Sequence, residues 1–277
     1  MTFERMLPLY EGKMGWQYDH RSATFTGTGD TEIAENRDHR MHAIVLPRYW
    51  VRESVVEDRL GRRIWGTRSA LLGFHRVAQN TDERTNIAAL LPFGAASYGW
   101  ILSTGPDARD LCLLLAQYNS FIFDYVLRQF LSQPSIPQST FEQLPALNRE
   151  QLARFDGALR NTTEWIVKRV AALSAASEDL TALAREIAHE PSSWDEGWRE
   201  HAIAELDALM FHLFGLSRED TNYVMDTFPI VKRKDEAAHG EYRTKRLILE
   251  VYDALGEAMK TGKPYETRLN PRPGRKG

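Results

Sequence analysis

The spacing of apolar positions changes near the middle of this 277-residue chain. In the first hundred residues they come in short blocks at strand spacing, separated by Gly, Pro and polar residues. His42–Val51 is β-branched and aromatic, with Pro47 marking an edge or a bulge. Ile64–Thr67, Leu71–Ala78, Asn86–Leu91 and Ala95–Ser103 read as further strands, the last bounded by Gly94 and Gly105. Punctuation at this spacing predicts a small twisted sheet or open barrel with long loops, not a βαβ array. The period then lengthens. Pro106-Asp107 offers a helix start, and Leu111 to Leu131 is apolar at helical spacing with neither Gly nor Pro inside.

Ser132–Thr140, rich in Pro, Ser and Gln, breaks that pattern, and Phe141–Leu147 carries Pro145. A domain boundary is expected near residue 147. Beyond it the pattern predicts helices over Arg149–Leu159 and over Thr163–His189, the second capped by Thr162 or Thr163. Asp195–Phe214 follows, stopped by Gly215. Ser217-Arg218-Glu219-Asp220 opens Asp220–Thr227 in the manner of a capping box. A last helix runs from about Tyr242 to Met259, ended by Gly262 and Pro264, and the Pro-rich basic tail is expected to be disordered. No internal repeat is visible. The expected class is α+β, a mixed β-rich part over 1–147 followed by a helical part over 148–277.

Hydrophobic residues at 43% are enough for a real core. No apolar stretch approaches the length of a membrane span. Met1–Tyr10 interleaves Glu4 and Arg5 with single apolar residues, unlike a signal peptide. The lone Cys112, inside the apolar run Leu111–Ala116, predicts a buried thiol and permits neither an internal disulfide nor a zinc cluster. These features predict a cytoplasmic protein.

The net charge of -3 conceals an asymmetry. Between Arg37 and Arg76 stand nine arginines and no lysine against four acids, Asp38, Glu53, Glu57 and Asp58. From Glu150 to Asp220 there are seven Lys and Arg against fourteen Asp and Glu. The planar guanidinium fork suits phosphate and the Hoogsteen edge of guanine. An arginine-biased but merely solvated surface gives the same count.

Catalytic patterns are missing. Gly27-Thr28-Gly29 lacks the third glycine and the following helix of a methyl-donor loop, and reads as a turn. Asn270-Pro271-Arg272-Pro273 lacks the adjacent prolines and the aromatic ring that an adenine methyltransferase uses on a flipped base. Glu11-Gly12-Lys13 has the Glu-x-Lys spacing of a metal-dependent nuclease but no preceding aspartate. The histidines show no metal-ligand spacing, and His20 beside Asp19 reads as an ordered structural pair.

Four segments in chain order carry a resemblance. They are Leu7–Met14 with Gln17–Arg21, Arg76–Pro92, Leu114–Gln129 followed by Phe141–Pro145, and Asp226–Glu236 with Gly240–Arg246. In this order they resemble the C-terminal, target-recognition region of large adenine-specific DNA methyltransferases of the fused restriction-modification, type IIG-like group. Gly15-Trp16 departs from the group, where an aliphatic-histidine pair is expected. The resemblance starts at the seam where the methylase would end. It implies a target-recognition domain over 1–147 and helices over 148–277 that pack on a methylase and help clamp DNA. It implies double-stranded DNA and a methylase domain or subunit as partners, with S-adenosylmethionine belonging only to that methylase and no cofactor in this chain. The expected function is a sequence-specific DNA-binding specificity module for phage defence. The alternative is an assembly subunit that docks on a methylase without reading DNA.

Arg76, Arg84 and Thr85 flank a polar hairpin-like loop, Gln79-Asn80-Thr81-Asp82, between two apolar strands. Amides and hydroxyls between arginines suit adenine and guanine edges and phosphate. Asp82-Glu83-Arg84 equally suits local ion pairs that stabilise the turn. Lys232-Arg233-Lys234 forms a basic cluster after Pro229, and Arg243, Lys245 and Arg246 start the last helix against its dipole. Either a bound anion or Asp235, Glu236 and Glu241 would relieve them. The expected DNA contacts are Arg48, Arg76, Gln79, Asn80, Thr81, Arg84, Thr85, Lys232, Arg233, Lys234 and Arg243.

Overall fold

Short strands build the N-terminal part of the computed structural model, which describes residues 4–27, 33–40, 42–61, 66–190 and 193–269. They are β1 (Met6–Tyr10), β2 (Ala23–Phe25), β3 (Ile33–Glu35), β4 (Trp50–Arg52), β5 (Leu71–His75), β6 (Ala88–Leu91), β7 (Ala95–Ala96) and β8 (Trp100–Ser103). Strand β5 is central to one sheet, antiparallel to β6 and β8, with Gly73 opposite Ala89 and Leu102. Strand β1 pairs antiparallel with β4 and parallel with β7, and β2 pairs with β3.

The period of two along a strand splits the β5–β6–β8 sheet between two cores. Leu72, Phe74, Ala88 and Leu90 enter the main core, whereas Leu71, Ala89, Leu91 and Trp100 join Tyr10 and Met14 in a smaller one. Both faces of β6 are therefore covered, and all four of its residues are buried. Gly73 is needed where it stands, because a Cβ would lie 2.9 Å from the Trp100 ring.

Helix α1 (Glu53–Leu60) follows β4, a helix that the apolar pattern does not announce. The long apolar run divides into α2 (Ala108–Tyr118) and α3 (Phe121–Phe130). One continuous helix was expected there, and the break has a local cause. Ser120 caps the second helix by accepting from Phe123 N, and Asn119 exchanges two hydrogen bonds with the Ala88 backbone, at 2.9 and 3.0 Å. Asn and Ser side chains compete for backbone groups in this way. Asp107 caps α2, accepting from Asp110 N.

Short helices α4 (Gln138–Phe141), α5 (Arg149–Leu152) and α6 (Asp156–Leu159) lead to α7 (Thr162–Ser174), capped by Asn161. The expected helix over Thr163–His189 stops at Ser174, and α8 (Thr181–Glu186) resumes it. Two buried arginines serve carbonyls in the last turn of α7 and just beyond it. Arg199 donates to Leu173 O and Arg21 donates to Ala176 O. Then follow α9 (Glu196–Leu213), α10 (Arg218–Asp226), α11 (Pro229–His239) and α12 (Arg243–Thr261). Helix α10 has the capping box read from Ser217 and Asp220, and Gly240 and Gly262 end α11 and α12 in the left-handed conformation.

The fold is α+β, with small sheets first and helices afterwards. The main core takes in Leu72 and Phe74 from the sheet and Leu206, Phe211 and Ile248 from the helices, so it crosses residue 147 without a break. Within the expected strand His42–Val51, only its last two residues are in β4, and Gly66 and Thr67 belong to no strand. Residues 64 and 65 and the tail beyond 269 lie outside the described residues, as does most of the Gly27–Gly29 turn. Cys112 is buried and free. Among the described residues no helix is long and apolar enough to cross a membrane.

Candidate nucleic-acid interface

The loop joining β5 to β6 is fastened at both ends and from beneath. Asp82 closes it by accepting from Gln79 N at 2.8 Å, and Thr85 Oγ1 donates to Gln79 O at 2.9 Å. Asn80 Nδ2 reaches Leu131 O at 3.3 Å. From α3, Arg128 donates to the carbonyls of Asp82 and Glu83. Asp124, fully buried, accepts from Arg84 Nε, Arg128 Nε and Thr85 N. The side chains of Gln79, Asn80 and Thr81 remain exposed at the tip.

Two expected contacts face inward instead. Arg84 is 5% exposed, donates to Asn119 O at 2.6 Å and lies 3.9 Å over the Phe121 ring. Thr85 is fully buried. The physical reason is Asp124: a buried carboxylate needs cationic and N–H partners, and the loop supplies them. Arg84 and Thr85 therefore hold the loop. The local Asp82–Arg84 pair considered from sequence does not form, since Arg84 turns to Asp124 while Asp82 closes the turn through Gln79.

Arg48 and Arg76 differ from four other arginines of their segment. Arg37, Arg40, Arg52 and Arg68 lie against Glu35, Asp38, Glu4 and Glu57. Arg76 instead lies 4.2 Å over the ring of Tyr98, which is 75% exposed. Arg48 lies 5.0 Å over Phe25 and 5.5 Å over Tyr49. No carboxylate pairs with either among the described residues, and the Nε atom of each is buried without a partner. Beside them a cavity of about 400 Å³ is lined by Glu11, Lys13, Phe25, Arg48, His75 and Val77, among others. Burial pushes the His75 pKa down to about 4, against the pull of backbone hydrogen bonds with Gly12 and Gly15.

The basic cluster of the helical part is largely satisfied internally. Lys234 pairs with Glu83 at 2.5 Å, across 151 residues, and Lys232 lies 3.9 Å from Glu236. Arg243 pairs with Glu200 at 2.7 Å, Lys245 with Asp226, and Arg246 with Glu241 and Glu250. Asp235 accepts from Thr244 N at the start of α12. The protein's own acids thus relieve the positive charge at that helix start. Arg233 is exposed with no ion pair among the described residues. All of Lys232–Lys234 lie on α11, where the sequence reading placed no helix.

A second cavity, of about 170 Å³, lies between Glu83, Arg84, α9 and α11–α12, and Asp207 and Arg243 line it. Asp207 accepts from Phe121 N at 2.8 Å, and burial pushes its pKa up to about 7 despite Arg84 nearby. Sequence reasoning assigned no role to Asp207 or Tyr98, and weighed Lys13 only within the Glu-x-Lys spacing of a nuclease. The i,i+4 spacing of Asp124 and Arg128 was the visible signal for the pair under the loop. His20, expected to pair with its neighbour, instead meets Asp179 at 3.3 Å. Among the described residues no group of three His, Cys, Asp or Glu could hold a metal ion. The chain matches no family model, no curated protein and no solved structure.

Proposed function

We propose that this chain is a DNA-reading module of a restriction-modification adenine methyltransferase system, acting in phage defence. It binds duplex DNA sequence-specifically and relies on a methylase domain or subunit for the chemistry, where S-adenosylmethionine is used. The observation that carries this reading is the β5–β6 loop. Its tip presents Gln79, Asn80 and Thr81, and α3 holds it in one shape. Amides of this kind form paired hydrogen bonds to adenine, and hydroxyls accept either edge. Arg76 stands at the foot of the loop and Arg48 lines the cavity that Val77 also lines, both without carboxylates among the described residues. They supply the phosphate contacts that make such binding fall steeply with salt. Pre-organising a recognition loop lowers the entropy lost on binding.

Electrophoretic shift with a pool of random duplexes, at low and moderate salt with sequencing of the retained fraction, tests the reading. An enriched motif supports it. Absence of binding at low salt overturns self-sufficient DNA reading and favours a module that docks on a protein. That second reading has its own support in the exposed Ile44, Leu46, Tyr49 and Trp50, at 75, 53, 50 and 49%. Exposed apolar residues grouped this closely in sequence are typical of protein-docking surfaces.

A further inference from the structure

We infer that the cavity beside Arg48 is a nucleotide site, taking the phosphate on Lys13 and Arg48 and the base against Phe25, Ile33 and Val77. The inference adds to the DNA reading and does not depend on it. At about 400 Å³ the cavity falls in the range of small-molecule sites, roughly 300–1,000 Å³. Its lining combines apolar walls with a few polar groups, as such sites do.

Each polar group has a use for that ligand. Lys13 is exposed on the rim and has no ion pair among the described residues. Arg48 lies over Phe25 and is likewise free of carboxylates among the described residues, so two cations face one cavity, and Glu11 is the one acid of its described lining. Arg48 Nε, a nitrogen of the lining, is buried without a hydrogen-bond partner among the described residues. Buried polar atoms are normally satisfied, so this unpartnered nitrogen beside the cavity points to a ligand with polar atoms of its own. Glu11 offers acceptor oxygens for the amino and imino N–H groups of a base. Gly12 and Gly99 pack backbone to backbone on the floor, where a Cβ on Gly12 would lie 3.2 Å from Gly99 O. A nucleoside monophosphate satisfies these features together, whereas an inorganic anion leaves the apolar walls unused.

Free nucleotides and the nucleotides of a DNA strand share this chemistry, and calorimetric titration separates them. The purified chain is titrated with dGMP, dAMP and inorganic phosphate, each to about 10 mM, which captures sites as weak as Kd ~1 mM. At least one mononucleotide is expected to bind about tenfold more tightly than phosphate. Arg48→Ala is expected to weaken that binding about tenfold. Val77 is 63% exposed, so Val77→Trp fills the cavity mouth without touching the core, and it should abolish the binding while leaving the melting temperature unchanged. No mononucleotide binding, or binding indifferent to both substitutions, overturns the inference.

Competition with a labelled duplex then identifies the source. Displacement of duplex by the mononucleotide places a unit of the DNA strand in the cavity, and undisturbed duplex binding assigns it to a free nucleotide. Duplex binding with no mononucleotide binding sinks this inference alone. Mononucleotide binding with no duplex binding supports it and removes the DNA reading.

Discussion

Arg84 Nε donates to Asp124 Oδ2 at 2.8 Å in the interior, joining residues 40 apart in sequence. Through this contact α3 governs the shape of the β5–β6 loop. Asp124 collects Arg84, Arg128 and the Thr85 amide on one carboxylate, and Arg128 in turn holds the carbonyls of Asp82 and Glu83. The exposed tip is thus built on a buried ionic knot.

Arg84→Ala leaves Asp124 buried with one cation fewer. Breaking such a pair costs about 3–5 kcal/mol, and urea unfolding should show a loss of that order. DNA affinity, measured below the unfolding transition, should fall no more than the loss of ordered loop explains. A variant as stable as the parent would remove the structural role assigned to Arg84.

Arg76→Ala should behave in the opposite way. The guanidinium rests on an exposed ring and pairs with no carboxylate among the described residues, so little stability depends on it. Affinity for duplex DNA is expected to fall about tenfold, with a salt slope shallower by about 1. Thermal melting should not move. Equal affinity for parent and variant across the salt series would exclude Arg76 from the interface.

Asp207 makes stability depend on pH in a defined direction. Its carboxyl ionises near 3.8 in the unfolded chain, and burial raises that to about 7 in the native one. Between these values the native state binds the extra proton, so the contribution is complete below about pH 4 and is lost as pH rises through 7. His75 runs the other way: its native pKa is pushed down from 6.5 to about 4, and its contribution is lost as pH falls through that window. The test is therefore the difference between parent and Asp207→Asn, which keeps an acceptor for Phe121 N. That difference should shift against the parent as pH rises from about 4 to about 7. A constant difference would refute the assignment.

Glu205 fastens the end of the described chain to the bundle. It is 2% exposed, takes Arg169 Nε at 2.6 Å, and accepts from Tyr265 Oη at 2.8 Å and Thr267 Oγ1 at 2.5 Å. Glu205→Ala should release this segment, and limited trypsin digestion should cut after Arg268 several-fold faster than in the parent. Unchanged cleavage rates would show that Leu269, buried in the core, holds the segment unaided.

The sequence alone determined the class, the order of strands before helices, and those helix ends that carry a cap or a glycine stop, such as the bounds of α9, α10 and α12. Periodicity and capping act over a few residues, so Ser217 with Asp220, Gly215 and Gly262 could be read directly. Helix α11 carried a signal of the same kind, Pro229 at its start and Gly240 past its end, but its polar face hid it. Only the tertiary structure decided which charged residues are structural. Arg84 and Arg76 are eight positions apart and chemically alike, yet one meets a buried aspartate from α3 and the other an exposed tyrosine ring. Lys234 likewise owes its partner to Glu83, on the far side of the chain's midpoint. An arginine's role depends on the acid that long-range packing brings to it, and nothing within one helical turn specifies that acid.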